Sequence, residues 1–233
     1  MNGNKRTARL AGLLLLLGAA ASGFSIVYVR SRLVVFGDAA ATVSHIIAFE
    51  SLFRAGIASS VLGQIFSLFF GLTIFRLFKD AWRTLATVFM TSILVGVAIG
   101  IVNSLNNLAA LVLVTNPDYA RAFPPEQLNA LAMTFLRVNN FGIGLMELFT
   151  ALYLFSLGLL IIKSGYLPRI IGGLLIIGAC AFPVNTFTKI LTPQFYPALI
   201  TQITMMLNAF GPPLTILYLL IKGVKEPERH TSG

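Results

Sequence analysis

Six stretches of about 20 residues in this chain are nearly free of charge, and each is long enough to cross roughly 30 Å of hydrocarbon as a helix. The first runs uncharged from Leu10 to Val29, and the second, 55–75, lies between Arg54 and Arg76. The third, 84–117, has room for one helix and a loop. The fourth runs from Phe141 to Ile162 and is interrupted only by Glu147. The fifth, 170–188, sits between Arg169 and Lys189, and the sixth is the last part of 190–221, after the loop Thr192-Pro193-Gln194. This predicts an all-α, polytopic membrane helical bundle forming a single domain over 1–233. Its spans are about 10–29, 55–76, 84–113, 141–162, 169–189 and 198–221. Composition agrees: 57% of residues are hydrophobic and 11% charged, against about 45–50% and 25% in soluble domains. So few charges cannot cover a water-facing surface, which excludes a soluble enzyme, a disordered chain and a secreted disulfide scaffold. The single cysteine, Cys180, lies in an apolar run and says nothing about redox compartment.

The net charge of +9 would suggest nucleic acid in a soluble protein. Here the basic residues flank apolar runs, so they carry topology instead and no nucleic-acid partner is expected. With the N terminus inside, 11 of the 17 Lys and Arg residues fall on the cytoplasmic side, among them Lys5, Arg6, Arg9, Arg76, Lys163 and Lys222. The other 6 are Arg30, Arg32, Arg54, Arg121, Arg137 and Lys189. The expectation is a cell-membrane (inner-membrane) protein with both termini in the cytoplasm and the lipid bilayer as its first partner. Lys5-Arg6 followed by Leu13 to Leu17 and Ala19-Ala20-Ala21-Ser22 resembles a signal peptide. The apolar run continues through Val29, a full span, so retention is expected. Outside, Asp38 before Ala39-Ala40-Ala41 reads as an N-cap, with a loop helix over about 39–53. Leu128, Leu131, Phe135 and Val138 recur at helical spacing, which either extends span four or lies on the membrane surface.

The most distinctive string is Gly158-Leu-Leu-Ile-Ile-Lys163-Ser164-Gly165-Tyr166-Leu167-Pro168-Arg169-Ile-Ile-Gly172. With Arg30-Ser31-Arg32-Leu33, Gly37-Asp38-Ala39-Ala40-Ala41-Thr42 and Glu50-Ser51-Leu52-Phe53-Arg54, it resembles a family of multi-pass bacterial membrane proteins catalogued as domain of unknown function 4386. The resemblance covers about residues 5–222. It implies the multi-helix membrane fold and no particular activity, and no functional residue is carried over from it.

Polar residues inside the spans are the remaining signal. At about 1.5 Å per residue from the nearest cytoplasmic basic residue, Glu147 and Asn185 lie roughly 24 Å deep, Asn208 roughly 21 Å and Gln64 roughly 18 Å. Lys189, Asn103 and Arg54 follow at roughly 30–33 Å. The polar groups thus gather toward the outer side, which suggests a cavity open there. Gly96, Gly100, Asn103 and Asn107 share one face of span three, and Asn140, Gly144, Glu147 and Ala151 one face of span four. In span six, Gly211-Pro212-Pro213 follows Asn208 and removes helical hydrogen bonds at depth. Membrane amides commonly serve only as interhelical glue worth about 1 kcal/mol or less. Glu147 differs, because a carboxylate at depth must be paired or protonated, and it is by default a functional candidate. Lys189 is its nearest partner in depth, with Arg54 second.

These residues point to binding of a small amphipathic molecule or lipid in an outward-facing polar pocket, with Glu147 as the charged centre. Asn103, Asn107, Asn185 and Asn208 would supply hydrogen bonds, with Lys189 and Arg54 nearby. A small proton-coupled transporter and a structural or partner subunit without a ligand fit the same residues. An intramembrane enzyme is the weakest rival, because no His, metal-ligand set or nucleophile motif accompanies Glu147. No metal or cofactor is expected.

Overall fold

The computed structural model describes residues 3–192 and 198–224, and no strand occurs among them. Six helical stretches are long and apolar enough to cross a membrane: Asn4–Leu33, Glu50–Phe78, Arg83–Thr115, Pro125–Ser164, Arg169–Leu191 and Leu199–Ile221. The chain is an all-α, multi-pass membrane protein. Pro193 and Gln194 of the expected loop, and Lys225, Arg229 and His230 of the tail, lie outside the described residues.

The first span is composite. Helix α1 (Gly3–Gly23) passes into a π-helical stretch (Phe24–Arg30) and then a last turn, α2 (Ser31–Leu33). The helix therefore runs past Val29, where the uncharged sequence ends, and carries Arg30 within it. Gly37, with φ of +102°, allows the turn into α3 (Ala39–Ala48), since only glycine takes that backbone freely. The Asp38 carboxylate caps α3 by accepting from the Ala41 N–H at 2.8 Å. Helices α4 (Glu50–Phe78) and α5 (Arg83–Thr115) follow, then the short α6 (Pro117–Ala122). Helix α7 (Pro125–Ser164) has 40 residues, about 60 Å at 1.5 Å per residue, so it outruns the hydrocarbon and absorbs the Leu128–Val138 segment. Helix α8 (Arg169–Leu191) starts just after Pro168. The last span is two pieces, α9 (Ala198–Asn208) and α10 (Gly211–Ile221), because Pro212 and Pro213 have no N–H to continue the ladder.

The chain divides into two compact units. Unit 1 comprises Met1–Leu16, Ser67–Gly96 and Glu147–Gly233. Its core includes Phe70, Phe78, Phe89, Leu160, Leu175 and Leu219, all fully buried. Phe89 meets both Phe70 and Tyr153 edge to face, with centroids 6.1 and 6.2 Å apart. Helices α7 and α8 touch backbone to backbone: a Cβ on Gly158 would sit 2.6 Å from the Gly172 carbonyl oxygen, and one on Gly172 2.7 Å from that of Gly158. The distinctive string of the sequence thus ends in two glycines that face each other. Between them, the Lys163 ammonium lies 5.1 Å from the Trp82 ring centre.

Unit 2 comprises Leu17–Phe66 and Val97–Met146. Its apolar cluster draws Val29 and Leu33 from the first span, Phe53 from α4, Leu111 from α5, and Met133 and Leu136 from α7. Val43 and Ile46 of α3 are buried in the same cluster, so the loop helix is packed into the unit. Thr42 closes the turn, its hydroxyl donating to the Asp38 carbonyl at 2.8 Å while accepting from the Val35 N–H at 3.0 Å.

Candidate functional site

Two polar centres emerge, one in each unit. In unit 2, four helical segments enclose a cavity of about 90 Å³. Its polar lining includes Arg30, Ser60, Gln64, Asn103, Asn107 and Asn139. Ile26, Val29, Ile57, Leu136 and Ile143 form apolar wall. The polar part is held by a reciprocal lock between α5 and α7. Asn103 Nδ2 donates to the Asn139 carbonyl at 2.9 Å, and Asn139 Nδ2 returns a bond to the Asn103 carbonyl at 3.1 Å. Asn106 Nδ2 adds a third bond, to Asn103 Oδ1 at 3.1 Å. Both locked asparagines are buried, where an unpaired amide would be costly in hydrocarbon.

Glycines make the lock possible. The Asn103 amide occupies the notch left by Gly142, and a Cβ there would overlap it. Gly100 in the same way admits Gln64, whose Cδ would lie 2.7 Å from an added Cβ. Gln64 Nε2 donates weakly to Met146 Sδ at 3.4 Å. Arg30 completes the chain of contacts: Nη1 donates to Asn139 Oδ1 at 3.0 Å. The Phe36 ring centre is 5.4 Å from its Cζ, within cation–π range. The π-helical stretch supplies Ser25, Ile26, Val29 and Arg30 to the lining. Such widened turns occur mostly as local bulges, frequently at functional sites.

The second centre, in unit 1, is built on Glu147. Asn185 Nδ2 donates to Glu147 Oε2 at 3.2 Å, and Thr201 Oγ1 donates to Asn185 Oδ1 at 3.3 Å. Lys189 lies close enough for its charge to act on the carboxylate, and the Thr186 side chain hydrogen-bonds to it. Glu147→Leu should therefore cost about 1–3 kcal/mol, because it strands a buried donor. Glu147→Gln, which can still accept from Asn185, should cost about 1 kcal/mol or less. Denaturation of the two variants side by side in mixed detergent micelles checks the order, and equal losses would mean that the charge, absent from both, is what holds the helices.

The residues singled out in the sequence fall in both units. Asn103 and Asn107 line the cavity. Glu147, Asn185 and Lys189 form the other centre. Asn208 closes the α9–α10 break, its Nδ2 donating to the Gly178 and Thr204 carbonyls at 3.1 and 3.0 Å. Arg54 is exposed and pairs with Glu50 one turn earlier, at 2.7 Å. Among the described residues, no three His, Cys, Asp or Glu side chains come together as metal ligands.

Sequence reasoning missed Arg30 and Asn139. Arg30 follows the last uncharged residue and reads as an end anchor until the helix is seen to continue. Asn139 is masked in the sequence by Asn140, which shares a face with Glu147 and lies one residue and about 100° away on the helix. The available signal was the mirrored spacing Gly100-x-x-Asn103 and Asn139-x-x-Gly142, which sets a small residue three positions from each locked amide.

Residues 10–223 match the model of a family described as Domain of unknown function (DUF4386). No curated protein and no solved structure matches the chain.

Proposed function

The chain belongs to the DUF4386 family, and we propose that it binds a small amphipathic molecule or lipid in the polar cavity of unit 2. The observation that carries this reading is the lining itself, in which amides, hydroxyls and a guanidinium share one cavity with aliphatic wall. An amphipath needs that combination, with a few placed polar groups fixing its head and apolar surface covering its tail. Asn103 and Asn107, together with Gln64 and Ser60, are the neutral contacts of the site. The excess of Lys and Arg in the segments assigned to the cytoplasm supports an outward opening in the cell membrane, with both termini in the cytoplasm.

A small proton-coupled transporter is the second reading, favoured by one feature. Glu147 is a carboxylate within a span, hydrogen-bonded by Asn185 and within reach of the Lys189 charge, the kind of intramembrane carboxylate from which proton relays are built. In that case Glu147→Gln abolishes pH-dependent movement of the ligand and spares binding, because Glu147 is not in the cavity lining.

Native mass spectrometry of the full chain in mild detergent tests the binding reading, with wild type beside Ser60→Phe. The added ring would occupy a cavity of about 90 Å³. A stoichiometric adduct on wild type that disappears in Ser60→Phe is the expected result. An adduct retained by Ser60→Phe, or none on either form, overturns the assignment.

A further inference from the structure

We propose that the ligand's head is an oxyanion, a carboxylate or a phosphate, held by the Arg30 guanidinium. This rests on the reading of the cavity as a binding site and adds the charge of what enters it. Arg30 lines the cavity. One terminal nitrogen is committed to Asn139 Oδ1 at 3.0 Å, while the other, Nη2, is buried without a hydrogen-bond partner. A guanidinium is always charged and has five donors. Phe36 offsets a part of that charge, but among the described residues no aspartate or glutamate lines the cavity. A buried charge of this kind asks for a counter-charge and for hydrogen bonds on its free nitrogen.

The neighbouring groups favour the same answer. Asn139 is fixed by its bonds to Asn103, so the fork that it orients is set before any ligand arrives, which lowers the ordering cost of binding. Guanidinium forks match carboxylate and phosphate oxygens two at a time. Ser60 and Asn107 offer further donors on the same lining. The size agrees as well: about 90 Å³ has room for a few water-sized groups. That suits one oxyanion group and is far below the roughly 300–1,000 Å³ of a site for a drug-sized molecule. The tail of an amphipath would leave the cavity past Ile26, which lines it and is itself exposed.

The test uses the full chain, delipidated in a neutral maltoside detergent, with three probes: inorganic phosphate, dioctanoyl phosphatidic acid and the uncharged dioctanoylglycerol. Binding is read by native mass spectrometry and by thermal stabilisation for wild type, Arg30→Gln and Arg30→Lys. Wild type should bind phosphatidic acid at least about ten-fold more tightly than dioctanoylglycerol, a difference of about 1.4 kcal/mol. Arg30→Gln should bind the two equally, and Arg30→Lys should keep a reduced preference, since it retains the charge and loses the fork. Should Arg30→Gln not fold, the partial loss in Arg30→Lys carries the test. Stabilisation by inorganic phosphate alone identifies a free anion as the natural source, and stabilisation only by phosphatidic acid identifies a headgroup; both uphold the oxyanion site. Equal binding of the charged and neutral lipids by wild type overturns the oxyanion while sparing the pocket. A preference that survives in Arg30→Gln moves the anion elsewhere and overturns the role of Arg30. Absence of binding by every probe overturns both the inference and the reading on which it rests.

Discussion

Gly142→Ala should lower the unfolding free energy by about 3 kcal/mol, a large effect for a single added methyl. The added Cβ overlaps the Asn103 amide, and overpacking a well-filled contact costs about 1–3 kcal/mol. Relief requires the amide to leave its notch, which breaks its bond to the Asn139 carbonyl and weakens the return bond from Asn139. Bonds of this kind between membrane helices are worth about 0.6 kcal/mol each on average and at most about 1.7. Gly173→Ala is the matched control, because a Cβ there meets nothing within 4 Å. It should be neutral or stabilise by up to about 1 kcal/mol, as expected for replacing glycine in a helix. Equilibrium unfolding in mixed micelles reads both, and equal effects at the two glycines would remove the lock from the account.

The contact between α7 and α8 should be as sensitive. Gly158→Ala and Gly172→Ala each place a Cβ within 2.7 Å of the opposing backbone oxygen, and backbone cannot rotate aside as a side chain can. Each should cost about 2–3 kcal/mol. The double variant should cost clearly less than the sum, because the helices separated by the first methyl already accommodate the second. Strict additivity would mean that the two glycines do not share one contact. Protease susceptibility at the connection around Gly165 should rise in both variants, since local opening exposes it.

Much of the fold was legible because the bilayer imposes a simple rule. Twenty residues without charge form a span, and Arg76, Lys163 and Arg169 mark where spans stop. Asp38 announced α3 through the chemistry of an N-cap, and Pro212-Pro213 announced the break that separates α9 from α10. The candidate site was legible only in outline, for a geometric reason. Counting residues along an ideal helix yields depth but neither azimuth nor partner. Glu147 and Asn103 both belong to the polar tier by depth. Yet Glu147 is bonded to Asn185 on α8, and Asn103 to Asn139 on α7. Arg54 shared their tier and is satisfied within its own helix by Glu50. The π-helical stretch was the least accessible feature. Phe24–Arg30 reads as an ordinary apolar run with a terminal cation, and nothing in its composition signals a widened turn. That turn belongs to the segment that adds Arg30 to the cavity lining.

The central claim is that the cavity beside Arg30 holds part of another molecule. The most direct measurement is an experimental density map of the protein purified in mild detergent, resolved well enough to define the Arg30, Asn103 and Asn139 side chains. The account predicts non-protein density within hydrogen-bond distance of Arg30 Nη2 that continues past Ile26 as a chain. A cavity filled by water or closed by its own side chains, with Nη2 bonded to a protein oxygen, would contradict it.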